Sequence, residues 1–377
     1  MQKKIIALAV AAAFSAPAFA DTTVYGIADA AIANISASGT QSDTLAFSGG
    51  LAGSRLGVNN SEDLGDGLKA IVNLEYSLDI ETATGNTAKI GAPINAKVSN
   101  GSGIGAARQQ MLALAGSFGT VATGYLQTTG FDFSKSFDPT AGSLVSPMDN
   151  IAGAGKFMIG TNGALNRAPR ALAYISPDMS GFKVALNYSG DAAGGTGNLG
   201  NVDGDTTKQT AWLASANYAQ GPLAAGVVVA RFMDAVYAAP VAGVNETAIG
   251  VSYDLQMAKL FATFQTQKVD GANDSNKAFS ISATVPVTAA GTAVVTYAKS
   301  TMDANNAAGA DTNASGFTVA WLQGLSKTTT AYAAYSHMGQ GGDTNAYSVA
   351  KNAIGGSANL ANGTGSGMLA VGLNKKF

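Results

Sequence analysis

The last eleven residues of the chain, GMLAVGLNKKF, alternate in a way that constrains the whole fold. Successive side chains of an extended strand point to opposite faces. One face therefore carries the apolar residues Leu369, Val371, Leu373 and Phe377, and only Lys375 interrupts it. A barrel wall in a membrane accounts for this pattern, because its outer face contacts hydrocarbon and its aromatic residues lie at the membrane boundary. The alternative is an edge strand of a soluble sandwich.

The composition favours the membrane interpretation. The chain is 46% hydrophobic but only 12% charged, about half the charge of an average soluble domain. It contains no run of 18 apolar residues, so its hydrophobicity is dispersed, as it is in alternating strands. The absence of Cys excludes disulfides and thiolate metal sites, and His337 is the only imidazole. The composition gives no reason to expect a cofactor.

The first twenty residues have the three-part pattern of a secretory signal peptide. Lys3 and Lys4 precede an apolar run, which ends before the small-residue sequence Ala18-Phe19-Ala20. We expect cleavage after Ala20, which leaves residues 21–377 as a single transmembrane barrel domain. Cleavage removes two of 22 basic residues and changes the formal charge from −2 to −4. The mature chain has no basic excess that would indicate a nucleic-acid partner.

Sixteen segments of the mature chain show the pattern of strands. The clearest spans residues 68–78, where six apolar residues alternate with Lys69, Ile71, Asn73, Glu75 and Ser77. The second strand is predicted over Phe47 to Val58, with Arg55 facing the lumen. Short turns alternate with long loops along the chain, which is typical of an outer-membrane barrel with short periplasmic turns. The sequence therefore predicts an all-β, antiparallel, up-and-down transmembrane barrel of 16 strands.

Two stretches are harder to interpret. The segment from about Thr128 to Arg167 has no clear period, and such length is uncommon unless a segment is functional. Arg108 has the same parity as Leu112 and Leu114, so the alternation predicts that it lies on the outer rim, beyond the apolar band.

Four stretches carry a family resemblance: TTVYGIADA after the signal peptide, SRLGVNNSEDLGDGLKAIVNLEYSL, RQQMLALAGSFGTVATGYLQ and the ending VGLNKKF. They resemble the general porins of beta-proteobacteria, of the neisserial type. The resemblance implies a homotrimeric, water-filled outer-membrane channel whose third external loop folds into the lumen. It implies outer-membrane lipid and lipopolysaccharide as partners, and the barrel-assembly machinery as the partner of the final strand, through Leu369, Val371, Leu373 and Phe377.

If the third loop lies in the lumen, its acids and the wall charges form a constriction. The predicted set is Asp132, Asp138 and Asp149 from the loop, with Arg55, Lys69, Glu75 and Lys183 from the wall. The family usually has an Arg near Tyr125 and a Lys near Ala173. Because rings of charged side chains set ion preference, the loss of these groups predicts weak selectivity, nearer to neutral or cation-preferring.

The predicted function is passive diffusion of ions and small hydrophilic solutes. A second possibility is a barrel that acts as an adhesin or structural surface protein through its loops. A barrel enzyme is disfavoured because no Ser, His and acid arrangement is present, and GTGNLG at 195–200 lacks the strand and helix of a phosphate-binding loop. Conductance in a planar bilayer separates the first possibility from the other two.

Overall fold

The computed structural model describes residues 20–37, 42–81, 104–153, 157–190, 210–233, 243–303, 310–349 and 361–377. The predicted signal peptide, apart from Ala20, and the motif at 195–200 lie outside these residues. The described part of the chain contains 17 strands and two short helices.

The strands are β1 (Ala20–Ala37), β2 (Asp43–Ser48), β3 (Arg55–Gly65), β4 (Leu68–Leu78), β5 (Ile104–Gly116), β6 (Gly119–Gln127), β7 (Arg167–Ile175), β8 (Phe182–Ser189), β9 (Thr210–Gln220), β10 (Leu223–Met233), β11 (Val244–Asp254), β12 (Lys259–Val269), β13 (Asn276–Pro286), β14 (Gly291–Thr301), β15 (Ala314–Gly324), β16 (Thr329–Gln340) and β17 (Ser366–Lys376). The helices are α1 (Thr129–Phe137) and α2 (Pro147–Ile151), both between β6 and β7. No helix in these ranges is long and apolar enough to cross a membrane.

Neighbouring strands pair antiparallel, and the pairing of β1 with β17 closes the sheet into a barrel. The long strand β1 pairs with β2 through its second half and with β3 through its first half. Strands β2 and β3 therefore act as two parts of one barrel strand, which confirms the prediction of a 16-stranded barrel. The prediction of one continuous strand from Phe47 to Val58 was wrong, because residues 49–54 interrupt it.

The buried carboxylate of Asp29 holds this interruption in place. Its oxygens accept hydrogen bonds from the backbone N–H groups of residues 50, 51 and 52 at 2.8, 3.2 and 2.9 Å. They also accept from the Tyr332 hydroxyl on β16 at 2.7 Å and from Asn374 Nδ2 on β17 at 2.6 Å. A buried charge is tolerated when hydrogen bonds satisfy it. Asp29 thereby joins β1 to residues 50–52 on one side and to β16 and β17 on the other, where the barrel closes.

The barrel wall has an apolar outer face and a small or polar inner face. On β17, Leu369, Val371 and Leu373 are about half exposed, whereas Met368 and Ala370, which alternate with them, are fully buried. The alternation repeats on other strands, where Ser and Thr occupy many inner positions. This division matches a wall between hydrocarbon and an enclosed interior.

The terminal aromatic residue is held by a glycine on β1. The N–H of Gly26 donates to the Phe377 carbonyl at 2.9 Å, and the N–H of Phe377 donates to the Gly26 carbonyl at 3.1 Å. A Cβ at Gly26 would lie 2.4 Å from Cζ of the Phe377 ring, so a side chain at this position would collide with the ring. The ring itself is 56% exposed on the outer face.

Candidate functional site

The described residues of the stretch 128–166, called the β6–β7 segment here, contact side chains and backbone of several strands. Thr128 caps α1 by accepting a hydrogen bond from the backbone N–H of Phe131, and Ser146 caps α2 in the same way. Helix α1 contacts β8 to β12, and α2 contacts β13 to β16. The sequence showed no period over this stretch because both helices are too short to display one.

Helix α1 packs against a pair of glycines in the barrel wall. Gly226 on β10 and Gly250 on β11 are cross-strand partners. A Cβ at Gly226 would lie 2.7 Å from the Phe137 ring, and a Cβ at Gly250 would lie 2.6 Å from it. The missing side chains therefore leave a notch that the Phe137 ring fills, and Phe133 packs beside it with ring centroids 5.0 Å apart.

A buried carboxylate on β11 fixes the second half of the segment. Glu246 accepts hydrogen bonds from the backbone N–H groups of Met158 at 2.7 Å and Ile159 at 2.8 Å. Gln265 and Gln267 on β12 donate to the same carboxylate. The four donors satisfy Glu246 and attach residues 158 and 159 to the wall.

Further hydrogen bonds attach the segment at other points around the barrel. The Val145 carbonyl accepts from the hydroxyl groups of Thr318 on β15 and Ser336 on β16. The N–H of Leu144 donates to the carbonyl of Gly50 at 3.0 Å. At the start of α1, the N–H of Thr129 donates to Asn187 Oδ1 on β8 at 2.8 Å. The segment is thus bonded to distant parts of the wall.

Two of the three predicted loop acids are enclosed by the segment. Asp138 accepts from the N–H and hydroxyl of Thr140 and from the Ser146 hydroxyl. Asp149 accepts from the N–H of Gly142 and from the hydroxyl of Thr161. Burial raises the pKa of both carboxyl groups, and burial together with the neighbouring charge of Asp138 raises the pKa of Asp149 to about 7.

The third loop acid lies at the surface of the segment. The Asp132 side chain is exposed and accepts a hydrogen bond from Gln127 Nε2 at 2.5 Å. Lys135, one helical turn further along α1, is also exposed, and its Nζ donates to the Ala141 carbonyl at 2.5 Å. These two opposite charges are the solvent-accessible charges of α1.

Opposite charges also meet on the inner face of β3, β4 and β5. Glu75 Oε1 accepts from Nε of Arg108 at 2.7 Å and lies 3.8 Å from Nη1 of Arg55. Glu75 Oε2 accepts from the Tyr25 hydroxyl at 3.2 Å, which in turn accepts from Asn73 Nδ2 at 3.0 Å. The structure thus brings together Arg55 and Glu75 from the predicted set.

The placement of Arg108 on the outer rim was wrong. The register of the β4–β5 pair shifts at this point, since Glu75 pairs with Gln109 while the next residue, Tyr76, pairs with Ala107. Arg108 is the extra residue of this β-bulge, and the bulge reverses its parity. Its side chain is buried against Glu75 on the inner face.

A third arginine extends the cluster to β7. The guanidinium carbon of Arg167 lies 4.9 Å from the centroid of the Phe131 ring on α1, a cation–π contact. Its Nε and Nη2 make no hydrogen bond to the described residues. Arg167 lies within electrostatic range of Arg55, Glu75 and Arg108. The sequence did not predict an inner position for Arg167, because this residue lies at the end of the segment without a clear period.

The two predicted wall lysines lie elsewhere. Lys69 is exposed beside the short turn that joins β3 and β4. Lys183 is exposed beside the turn between β7 and β8, and its Nζ lies 3.6 Å from Asp178. Both are at the end of the barrel that carries the short turns, away from the arginine cluster.

A family model of Gram-negative porins matches residues 7–367. The chain belongs to the Gram-negative porin family. Outer membrane porin protein 32 of Delftia acidovorans is 29% identical over 347 residues, which cover 88% of each chain. Major outer membrane protein P.IB of Neisseria gonorrhoeae is 28% identical over 50% of this chain and 48% of its own. The beta-proteobacterial and neisserial resemblance is thereby confirmed.

The solved structures include an anion-selective porin from Comamonas acidovorans, with a TM-score of 0.70 and 24% identity over 95% of this chain and 100% of that chain. That likeness shows the fold. Because the family and the Delftia relative are outer-membrane porins, this porin is a barrel of the bacterial outer membrane, as the alternation of its strands predicted.

This porin carries neither of the basic residues expected near Tyr125 and Ala173. It has basic groups at other inner positions instead, because Arg108 and Arg167 join Arg55 there. Around Glu75 the wall carries three guanidinium groups, and the buried carboxylate of Asp29, which also lies within electrostatic range of Arg55, reduces the excess to one positive charge. The exposed pair Asp132 and Lys135 adds no net charge.

Proposed function

We propose that this porin is a passive diffusion channel whose narrowest part lies between the β6–β7 segment and the inner faces of β3, β5 and β7. Ions and small hydrophilic solutes pass through it down their gradients. The observation that carries the proposal is the multiple attachment of the segment to inner-face residues, from Asn187 on β8 to Ser336 on β16. A segment bonded to several parts of a closed wall narrows the space that the wall encloses.

The charges support a weak anion preference. Arg55, Arg108 and Arg167 outnumber Glu75 on the wall, whereas Asp138 and Asp149 are enclosed by donors of their own segment. A unit charge about 8 Å from a permeating ion in water contributes about 0.5 kcal/mol, roughly a twofold change in ion occupancy. An excess of one positive charge therefore gives a modest preference for anions. This sign differs from the neutral or cation-preferring channel that the sequence predicted, since that count omitted Arg108 and Arg167.

Reversal potentials in a salt gradient test both the constriction and its sign. We expect Arg108→Gln and Arg167→Gln each to shift the permeability ratio towards cations by roughly twofold, and Glu75→Gln to shift it towards anions. Lys183→Gln is the matched control, because it removes a positive charge far from the cluster. Asp138→Asn should leave the ratio unchanged. Equal shifts in Lys183→Gln and Arg108→Gln would contradict the proposed constriction.

Assembly follows from the same proposal. We propose export through cleavage after Ala20, recognition of the final strand by the barrel-assembly machinery, and a homotrimer in the outer membrane. The exposed apolar row that ends at Phe377 supports recognition of the final strand, since it presents an unbroken outer face up to Leu373. Amino-terminal sequencing and light scattering of the purified protein test the cleavage site and the trimer.

A further inference from the structure

The chain leaves β16 at the end of the barrel opposite the short turns, which is the external end of an outer-membrane barrel. Residues 344–349, called the β16–β17 segment here, follow, and none of them is part of a strand. The N–H of Tyr347 donates to Gln340 Oε1 at 2.9 Å, and the N–H of Val349 donates to Ser366 Oγ at 3.1 Å. These hydrogen bonds attach the segment to the last residue of β16 and the first residue of β17.

Both acceptors belong to the inner face of the wall. Gln340 shares its parity with Met338 on β16, and Ser366 shares its parity with Met368 on β17. Both methionines are fully buried, as inner-face residues are on these strands. The β16–β17 segment therefore lies inside the rim of the barrel.

Tyr347 and Val349 contribute to an apolar cluster on this side of the barrel. Both side chains are fully buried. The cluster also contains inner-face residues of β13 to β17. From the β6–β7 segment it contains Leu144, Val145, Met148, Ile151, Ala152 and Phe157. The β16–β17 segment thus packs into the same core that holds α2 against the wall.

The hydroxyl group of Tyr347 is buried in this cluster without a hydrogen-bond partner among the described residues. Burial raises the pKa of this hydroxyl, and no charged neighbour offsets the effect. Tyr332 shows the satisfied arrangement, because its buried hydroxyl donates to Asp29 at 2.7 Å. A buried hydroxyl without a partner loses its hydration and gains nothing in return. The Tyr347 hydroxyl therefore opposes the packing that the Tyr347 ring favours.

These opposed contributions act on one equilibrium. When the Tyr347 ring is packed, its apolar surface is removed from water but its hydroxyl is desolvated. When the ring leaves the cluster, both changes are reversed. A phenylalanine at this position would keep the burial and avoid the desolvation. The hydroxyl therefore raises the population of the unpacked arrangement by roughly tenfold.

The chain just before the segment is fixed by contacts of its own. The N–H of Gly341 donates to the Asn313 carbonyl at 2.8 Å, and the N–H of Asp343 donates to the Asp311 carbonyl at 3.0 Å. These bonds continue the pairing of β16 with β15 beyond the strand ends. Residues 344–349 can therefore leave the cluster while the rim of the barrel stays paired.

We propose that the β16–β17 segment is a lid over the α2 side of the channel, and that the unpaired Tyr347 hydroxyl sets how often the lid opens. In the closed state, Tyr347 and Val349 cover the apolar cluster from the external side. In the open state, water solvates the Tyr347 hydroxyl and reaches the α2 side, and the channel gains a wider conducting state. The lid is independent of the charges at the constriction, and only its effect on conductance rests on the proposed function.

Thiol labelling measures the opening directly, because the chain has no Cys. Val349→Cys places one thiol on the buried side of the lid, where a water-soluble maleimide reaches it only after opening. In this background, Tyr347→Phe should slow labelling roughly tenfold, because the closed state no longer buries an unpaired hydroxyl. Tyr347→Ala should accelerate labelling at least tenfold, because the ring no longer holds the lid closed. An unchanged rate in Tyr347→Phe would overturn the role of the hydroxyl, and an unchanged rate in Tyr347→Ala would overturn the lid.

Two controls separate the lid from other effects. Tyr332→Phe removes a buried hydroxyl that has a partner and should not slow labelling of Val349→Cys. Ala211→Cys places a thiol at a fully buried wall position on β9, in the cluster on the α1 side. Its labelling rate should be the same with and without Tyr347→Phe. Equal slowing at both cysteines would indicate general stabilisation of the barrel and overturn the proposal.

Hydrogen exchange replaces labelling if Val349→Cys does not fold. With Val349 in place, Tyr347→Phe should slow exchange of the amides of residues 344–349 by the same factor. Unchanged exchange of these amides would overturn the role of the hydroxyl.

Single-channel recording connects the lid with the channel. Tyr347→Phe should shorten the time spent in the wider state, and Tyr347→Ala should lengthen it. Changed labelling with unchanged conductance in both variants would overturn the effect of the lid on permeation. A wild-type protein that does not conduct would refute the channel proposal, whereas the labelling result would still decide whether the lid opens.

Discussion

The packing of the Phe137 ring against Gly226 and Gly250 predicts how the β6–β7 segment responds to mutation. Phe137 is 2% exposed, and truncation of a buried phenylalanine to alanine costs about 3–5 kcal/mol. A loss of 3 kcal/mol raises the open fraction of a local two-state equilibrium by roughly a hundredfold. We expect Phe137→Ala to keep the barrel folded, since the ring contributes to no strand pairing, but to free α1 from the wall.

The reciprocal substitution acts from the wall side. A Cβ at Gly250 would lie 2.6 Å from Cγ and Cδ2 of the Phe137 ring, well below ordinary contact. Gly250→Ala must therefore displace the ring, at a cost of about 1–3 kcal/mol for overpacking. The double variant Phe137→Ala, Gly250→Ala should cost less than the sum, because the new methyl group occupies part of the space that the ring leaves. Contacting residues show such coupling.

Single-channel recording and limited proteolysis measure the outcome. Both single variants should show excess open-channel noise and faster cleavage within residues 128–166. The double variant should recover part of the wild-type behaviour. Gly342→Ala is the matched glycine control, because a Cβ there meets nothing within 4 Å. Wild-type noise and protease resistance in both single variants would refute the idea that the Phe137 ring holds α1 against the wall.

The remaining predictions concern assembly, the closure and pH. Deletion of Phe377 and the variant Leu373→Asp should each reduce insertion into the outer membrane. For Leu373→Asp the reason is that a charge on the lipid face costs up to about 2 kcal/mol. The amount of each variant in the outer membrane measures the effect, with Lys376→Gln as the control. Asp29→Ala leaves buried donors at residues 50–52 and at Tyr332 without their acceptor and should cost more than about 3 kcal/mol, seen as a lower unfolding temperature in detergent. The pKa of Asp149 is raised from 3.8 to about 7, so the packed segment binds this proton more tightly than the opened segment. The stability of the segment should therefore fall as pH rises from about 4 to about 7 and stay level above that, and noise should be greater at pH 8 than at pH 5. Asp149→Asn should weaken this dependence, which the raised pKa of Asp138 in the same segment also supports, and an unchanged pH profile in that variant would count against the assignment.

The alternation of the sequence was sufficient for the barrel and its strand number. Each strand of about eleven residues must separate hydrocarbon from the interior, so a period of two runs through residues such as Leu369, Val371 and Leu373. Deviations from regular strands were not predictable. The break after Ser48 depends on Asp29, which contacts it only in the folded barrel. The bulge at Arg108 inserts one residue without a sequence signature, and parity then assigns the wrong face.

The candidate site was predicted in part for the same reason. Arg55 and Glu75 lie on regular strands, where parity applies, and the structure places them together. Asp138 and Asp149 belong to a segment whose conformation depends on contacts with β8 to β16, so their enclosure could not be inferred locally. Glu246 did carry a signal, because it alternates with Val244 and Ala248 on the buried face of β11. Its partners, the N–H groups of Met158 and Ile159, are 88 and 87 residues away.

The contacts of Asp29 also have a consequence for the order of folding. Its hydrogen bonds to Tyr332 and Asn374 join residues 303 and 345 positions apart. Contacts of such separation form late, because a long loop must close before they stabilise the chain. In a sheet that has not closed, the first and last strands, β1 and β17, would each present a row of unpaired N–H and C=O groups. Such edges pair readily with other chains. We therefore expect the protein to be most prone to aggregate before β1 pairs with β17, and the carboxylate of Asp29 stabilises the closed barrel by joining the two ends of the chain.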